Sequence, residues 1–416
     1  MAVDVSSVRE WLIDGGRSSP VPGDMVDSLC RQLIACGIPL FRVAFYIRTL
    51  HPDIFGRNFI WRPDEPIKIG TADHSIIETP QFLASPISVV AREGREIRAR
   101  VGDPESERWP IVEDLRAEGV TDYIALPIRY IDGSAHTTSW TTKQAGGFTD
   151  EQVDALRSII APLSRLIEVM GLRRVATTLL DTYVGNRAGE KILAGQIRRG
   201  HTENMNAAIW LSDLRGFTTI SETMTPEENF AFINSYLGRV SPVVRQHQGF
   251  IIKYLGDGIH AVFPRCADDG VRAGIEKLTQ VNDYNAYRQR KNRLPIGVGV
   301  GVNTGHMMVG MVGEQHRMQG DAFSDDVNLT SRLEGLTKFY HVSLIISSAT
   351  YERLTDPSRY NIRFLDRVQV KGRKTALDLY EVYDADLLQM RQLKRETQAD
   401  YEEAFDLADR VAIMNK

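Results

Sequence analysis

The chain has 416 residues, 43% hydrophobic and 25% charged, which suits two or three domains that each bury a core. Its net charge of -4 is mild for that length, so a general binder of nucleic acid or acidic membranes is excluded and any affinity for phosphate must be local. The opening MAVDVSSVREWL lacks the basic flank and apolar run of a secretion signal. No stretch approaches the roughly 20 apolar residues that cross a bilayer, and a cytoplasmic protein without a membrane span is expected.

In chain order, Met25, Leu29, Leu33 and Ile34 recur at helical spacing between Asp24 and Cys36, and Gly37 ends that helix. Phe41, Val43, Phe45 and Ile47 alternate with Arg42, Ala44, Tyr46 and Arg48, the pattern of a half-buried strand; Tyr123 to Tyr130 and Ala135 to Thr142 read as further strands. Residues 64 to 120 show no clean period. After Gly146 and Gly147, Thr149 with Gln152 forms a capping box that starts a helix. Leu156, Ile159, Leu163, Leu166 and Met170 make a stripe that fits either a core face of the first domain or a seam with a partner helix, and Pro162 should bend it. Cys30, Cys36 and Cys266 have no metal-ligand spacing and read as structural thiols.

The order helix, strands, helix, closed by GGFTDEQVDALRSIIAPLSRLIE, resembles a GAF-type sensory domain over roughly residues 20 to 170. The motif of cyclic-nucleotide-binding GAF domains is not found, which leaves the regulator, small molecule or protein, unidentified. Leu172 to Arg199 continues as a polar helical connector with Leu172, Val175 and Leu179 on one stripe, interrupted by Gly185, Gly189 and Gly195. Leu387 to Lys416 is a charged, helix-like tail read as a solvated face.

Ala207 to Leu211 reads as a short buried strand, with Asp213 just past its end. Taken alone, Asp213 is a helix N-cap. Asp257 lies in Leu255-Gly256-Asp257-Gly258 between two apolar runs, a hairpin signal, and taken alone it is a turn aspartate. A hairpin tip beside a strand end can bring both carboxylates together, and like charges so close need a cation. Hard oxygen ligands suit two divalent ions, Mg or Mn, roughly 4 Å apart.

DLRGFT, KYLGDG, GVGVNTGHMMVGMVG, GDAFSDDVNLTSR and VKGRK follow one another between about Asn206 and Tyr383. That segment resembles the catalytic domain of class III nucleotidyl cyclases. The resemblance implies metal ligands at Asp213, Asp257 and the backbone carbonyl of Leu214, and base-recognising positions at Lys253 and Asp321. Adenine offers an acceptor at N1 and a donor at its exocyclic amine, which a lysine and an aspartate complement and guanine reverses. By the same resemblance Asn328 orients the ribose, Arg332 steadies the α-phosphate, and Lys371, with Arg373 as the alternative, holds the outer phosphates.

Ser324, Asp325 and Asp326 depart from the commonest family pattern, and Asp326 is read as a helix cap. Asn303 to His306 is read as a glycine-assisted turn, and His306 carries no expected role. The implied fold is α+β: a GAF-like sensory domain (1–170), a helical connector (171–203), a ferredoxin-like βαββαβ catalytic domain (204–385) and the tail (386–416). The implied activity is conversion of ATP to 3′,5′-cyclic AMP and pyrophosphate by a homodimer with composite sites at its interface. A guanylate cyclase, or a non-catalytic module that binds nucleotide, is the alternative.

Overall fold

The computed structural model describes residues 3–16, 21–49, 54–183, 189, 192–195, 202–314, 317–369 and 376–414, and the chain divides into two compact units, Met1–Leu179 and Leu180–Lys416. In the first unit the alternating segment at 41–48 becomes β1 (Arg42–Arg48), joined by β2 (Gly56–Trp61), β3 (Lys68–Ala72), β4 (Ile97–Arg100), β5 (Asp122–Arg129) and β6 (Ala135–Thr142). They form one antiparallel sheet in the order β3-β2-β1-β6-β5-β4. One apolar cluster joins Phe45 and Trp140 to Leu29 and Leu33 of helix Pro22–Ala35 and to Leu156 of helix Asp150–Tyr183. A second joins Tyr123 and Ala125 to Val90, Val112 and Leu115 of the short helices between β3 and β5.

Residues 64–120 lack a period because they fold as two short strands and several one- or two-turn helices, most of which start at a side-chain cap. Thr79 Oγ1 accepts from the Phe82 N–H at 3.3 Å and Ser85 Oγ from the Ser88 N–H at 3.2 Å. The capping box forms as expected: Thr149 Oγ1 accepts from the Gln152 N–H at 3.3 Å, and Gln152 Oε1 accepts from the Thr149 N–H at 3.0 Å. The helix continues through Pro162 to Tyr183. Leu156, Ile159 and Leu163 are fully buried in this unit and Met170 packs on the same core, which decides for a core face over a partner seam. Beyond it Leu172 and Leu179 are exposed, while Gly185 lies outside the described residues.

In the second unit the chain runs β7 (Thr202–Arg215), helix Pro226–Gln246, β8 (Phe250–Leu255), β9 (Gly258–Phe263), helix Ala267–Arg290 and β10 (Gly297–Glu314). This is the expected βαββαβ order, and β10-β7-β9-β8 are neighbours in an antiparallel sheet. Strand β11 (Arg317–Phe323) folds back on β10, and β12 (Leu344–Ser347), β14 (Leu377–Val382) and β13 (Ile362–Val368) extend the other edge. Trp210, Tyr236, Phe263 and Val271 belong to the core under helices 226–246 and 267–290. Leu329, Leu333, Ile345 and Leu379 belong to a separate core under helix Asp325–Phe339.

The expected extent of β7 and the reading of the tail need correcting. Strand β7 is far longer than Ala207–Leu211, so Asp213 lies within it, paired with Gly299 of β10. The tail is not simply solvated: helices Leu388–Glu396 and Gln398–Met414 follow β14, Tyr401 OH donates to the Leu365 carbonyl at 2.6 Å, and the Phe405 ring meets Phe364 edge-on at 4.9 Å. Lys394 donates to Glu381 and Asp386, both at 2.5 Å.

Candidate active site

Asp213 and Asp257 do converge. Leu255 pairs with Gly258 across a two-residue turn, in which Gly256 takes the left-handed φ of 66° that an L side chain resists. Because β9 pairs with β7 as far as Ser212↔Ile259, the tip of that hairpin reaches the end of β7. There Asp257 Oδ2 accepts from the Leu214 N–H at 3.2 Å. Partial burial, and next the Asp257 carboxylate, push the Asp213 carboxyl up from 3.8 to about 6.

The second expected pair forms from residues 68 apart in sequence. Lys253 Nζ, on β8, donates to Asp321 Oδ2, on β11, at 2.7 Å, and Asp321 Oδ1 accepts from the Ala322 N–H at 2.8 Å. The pair is half-buried, with 30% of the lysine side chain and 13% of the aspartate exposed. Each charge is satisfied by the other.

Asn328 and Arg332 lie on helix Asp325–Phe339, both exposed, while Leu329 and Leu333 anchor its opposite face. The GVGVGVNTG run brings that helix down onto β10. A Cβ on Gly301 would stand 2.8 Å from the Thr330 carbonyl oxygen and 2.9 Å from the Leu333 carbonyl carbon, so only glycine permits the approach. The helix cap is Ser324, whose Oγ accepts from the Val327 N–H at 3.0 Å. Asp326, expected to cap, instead accepts from the His306 N–H at 3.1 Å. Asn303 to His306 is therefore no turn: it runs within β10, held on one side by β7. Lys371 and Arg373 lie outside the described residues.

Sequence reasoning missed the polar groups buried beside this site. Fully buried Lys277 donates from Nζ to Ser212 Oγ and lies 4.8 Å from the Trp210 ring and 5.5 Å from that of Tyr236. Burial lowers its pKa to about 7, against the opposing pull of Asp213, Glu334 and Asp257. Burial and Asp213 raise the carboxyl of Glu334. His260, on β9, is 2% exposed. The signal for His260 was a polar residue inside the otherwise apolar GIHAVF, while Lys277, in GIEKLTQV, has polar sequence neighbours that gave no sign of its burial.

The donor set fits a hard divalent cation. It comprises two carboxylates and neighbouring backbone oxygens, and the described residues contain no cluster of three His, Cys, Asp or Glu side chains that would form a full protein cage. Mg and similar ions are commonly held by one or two carboxylates, with water and substrate phosphate completing the shell.

The family model for the adenylate and guanylate cyclase catalytic domain matches residues 201–383. This segment is a nucleotidyl cyclase domain. An adenylate cyclase of Anabaena cylindrica is 32% identical over 248 residues, covering 56% of this chain and 48% of the relative. Adenylate cyclase 1 of Rhizobium meliloti is 34% identical over 233 residues, covering 54% of this chain and 35% of the relative. The solved guanylyl cyclase Cya2 is 33% identical, with a TM-score of 0.39, over 43% of this chain and 92% of its own. The chain thus spans about half the length or less of these curated relatives. The matched segment lies within the unit that carries both residue pairs, and no helix among the described residues is long and apolar enough to cross a membrane.

Proposed function

We propose that the protein is an adenylate cyclase that converts ATP to 3′,5′-cyclic AMP and pyrophosphate. The observation that carries this reading is the Lys253–Asp321 pair at 2.7 Å, in the same domain as the Asp213–Asp257 pair. An incoming adenine parts the first pair, its N1 accepting from Lys253 and its amine donating to Asp321; guanine presents a donor to the lysine and an acceptor to the carboxylate. Asp213, Asp257 and the Leu214 carbonyl would hold two divalent cations, Mg or Mn, which neutralise phosphate charge and lower the pKa of the attacking ribose 3′-hydroxyl.

The chain's own residues supply alignment. Asn328 orients the ribose, Arg332 steadies charge developing on the α-phosphate, and Lys371 or Arg373 holds the outer phosphates. The working unit is a homodimer in which the metal positions of one copy face the base and phosphate positions of the second. Residues 1–170, the GAF-like region, regulate by setting how the two catalytic copies meet.

The test is turnover of ATP and of GTP, side by side, by the purified full chain with Mn. Cyclic AMP as the predominant product supports the reading, cyclic GMP as the predominant one makes the chain a guanylate cyclase, and no product from either leaves a nucleotide-binding module. Unchanged activity and unchanged response to cell extracts on deleting residues 1–170 would argue against the regulatory role.

A further inference from the structure

His260 stands among apolar neighbours in the middle of β9, where a leucine or methionine would pack. It is 2% exposed, and no described residue hydrogen-bonds its Nε2. A buried polar atom without a partner destabilises a fold, and such atoms in native proteins call for an explanation. In register, His260 lies opposite Lys253 on β8 and Leu211 on β7. Val262, two residues along and so on the same face of β9, packs with Ala322, the neighbour of Asp321. The imidazole therefore lies on the sheet face where Lys253 and Asp321 meet.

Resting on the adenylate cyclase reading above, we propose that His260 is a third reader of the base, its Nε2 accepting the second hydrogen of the adenine exocyclic amine. The amine carries two hydrogens, and Asp321 takes one. The Lys253–Asp321 bond forms on the sheet face that carries the histidine; once the base parts that bond, Nε2 is a buried polar atom on the same face that still wants a partner. Guanine would bring a carbonyl oxygen to the same place, lone pair against lone pair. Burial, followed by the Lys253 charge, with Asp321 opposing, holds the imidazole near pKa 4 and hence neutral, the form in which one ring nitrogen accepts. A neutral reader also adds no charge beside the Lys253–Asp321 pair.

The experiment compares two non-reactive ligands on the full chain with Mn: 3′-deoxy-ATP and its counterpart whose purine lacks the amine. Binding is measured by calorimetry for the parent, His260→Met and His260→Gln. H260M should bind 3′-deoxy-ATP about tenfold more weakly and the amine-free ligand within about twofold of the parent, the size of one lost hydrogen bond. H260Q, whose amide oxygen can accept, should recover most of the difference. Equal weakening for both ligands, or none for either, overturns the proposal.

Should H260M not fold, the parent protein decides through ¹⁵N-histidine resonances. The His260 Nε2 signal moves with 3′-deoxy-ATP and stays put with the amine-free ligand if the contact forms, and responds alike to both if it does not. A parent that binds as described yet makes no cyclic AMP refutes the cyclase reading alone. A parent that makes cyclic AMP while H260M treats both ligands as the parent does refutes the reader alone.

Discussion

Replacing Asp257 with Asn should stabilise the metal-free protein while removing its nucleotide chemistry. The Asp213 carboxyl is displaced from 3.8 to about 6, with burial the larger cause and Asp257 the next. In full, that displacement corresponds to about 3 kcal/mol. Burial survives the substitution, and Asp213 is exposed enough for solvent to screen much of the rest, which leaves about 1 kcal/mol of relieved repulsion. An unfolding unit of this size should gain about 2–4 °C in Tm. Asn preserves the local fold, because its amide oxygen can still accept from the Leu214 N–H now 3.2 Å from Asp257.

Thermal unfolding of the two proteins in a chelator, and again with Mn, reads both halves of the expectation. The parent should be stabilised by Mn and D257N hardly at all, and cyclic AMP production should fall by at least about 100-fold, as several kcal/mol of charge stabilisation is removed. A lower Tm for D257N in chelator, or equal stabilisation of both proteins by Mn, would refute the reasoning.

The same carboxyl sets a pH dependence. Its folded pKa lies above the unfolded value, so metal-free Asp213 contributes stability below about pH 4 that is lost as pH rises through about 6; conversely, Mn affinity measured by calorimetry should fall about tenfold per pH step below 6, as protons compete for the site. Lys253→Met removes the donor proposed for adenine N1 and the ion-pair partner of Asp321, so on the proposed reading kcat/KM for ATP should drop about 100-fold, two charge-assisted bonds' worth, with a smaller change for GTP in the same assay. Gly301→Ala forces a methyl against the Thr330 carbonyl and the backbone of helix Asp325–Phe339, and should cost about 1–3 kcal/mol in denaturant titration. Tyr401→Phe removes the bond to the Leu365 carbonyl, and about 1 kcal/mol lost in the same titration would show that the tail stabilises the β13–β14 edge.

Local signals in the sequence determined much of this protein. Alternation at 41–48, the Thr149–Gln152 capping box and the Gly256-Asp257 turn each specify their element through contacts a few residues long, and the structure realises all three. The hairpin and the long partner strand then bring Asp213 to Asp257, as the hairpin signal beside a strand end anticipated, whereas the meeting of Lys253 with Asp321 on β11 was implied only by the family resemblance. The extent of β7 was not legible, because its flanks TENMN and SDLR are polar. They become strand only because β10 supplies a ladder from Gly297↔Arg215 to Gly310↔Thr202. The same tertiary pairing turned NTGH from a turn into strand interior, and freed Asp326 from capping by drawing its carboxylate to the His306 N–H. Burial decided the rest: whether the stripe at 156–170 faces this chain's core, how far Lys277 and Asp213 are displaced from their ordinary pKa, and that His260 Nε2 is left without a partner on the sheet face of the Lys253–Asp321 pair. These depend on desolvation by residues distant in sequence, which no local pattern encodes.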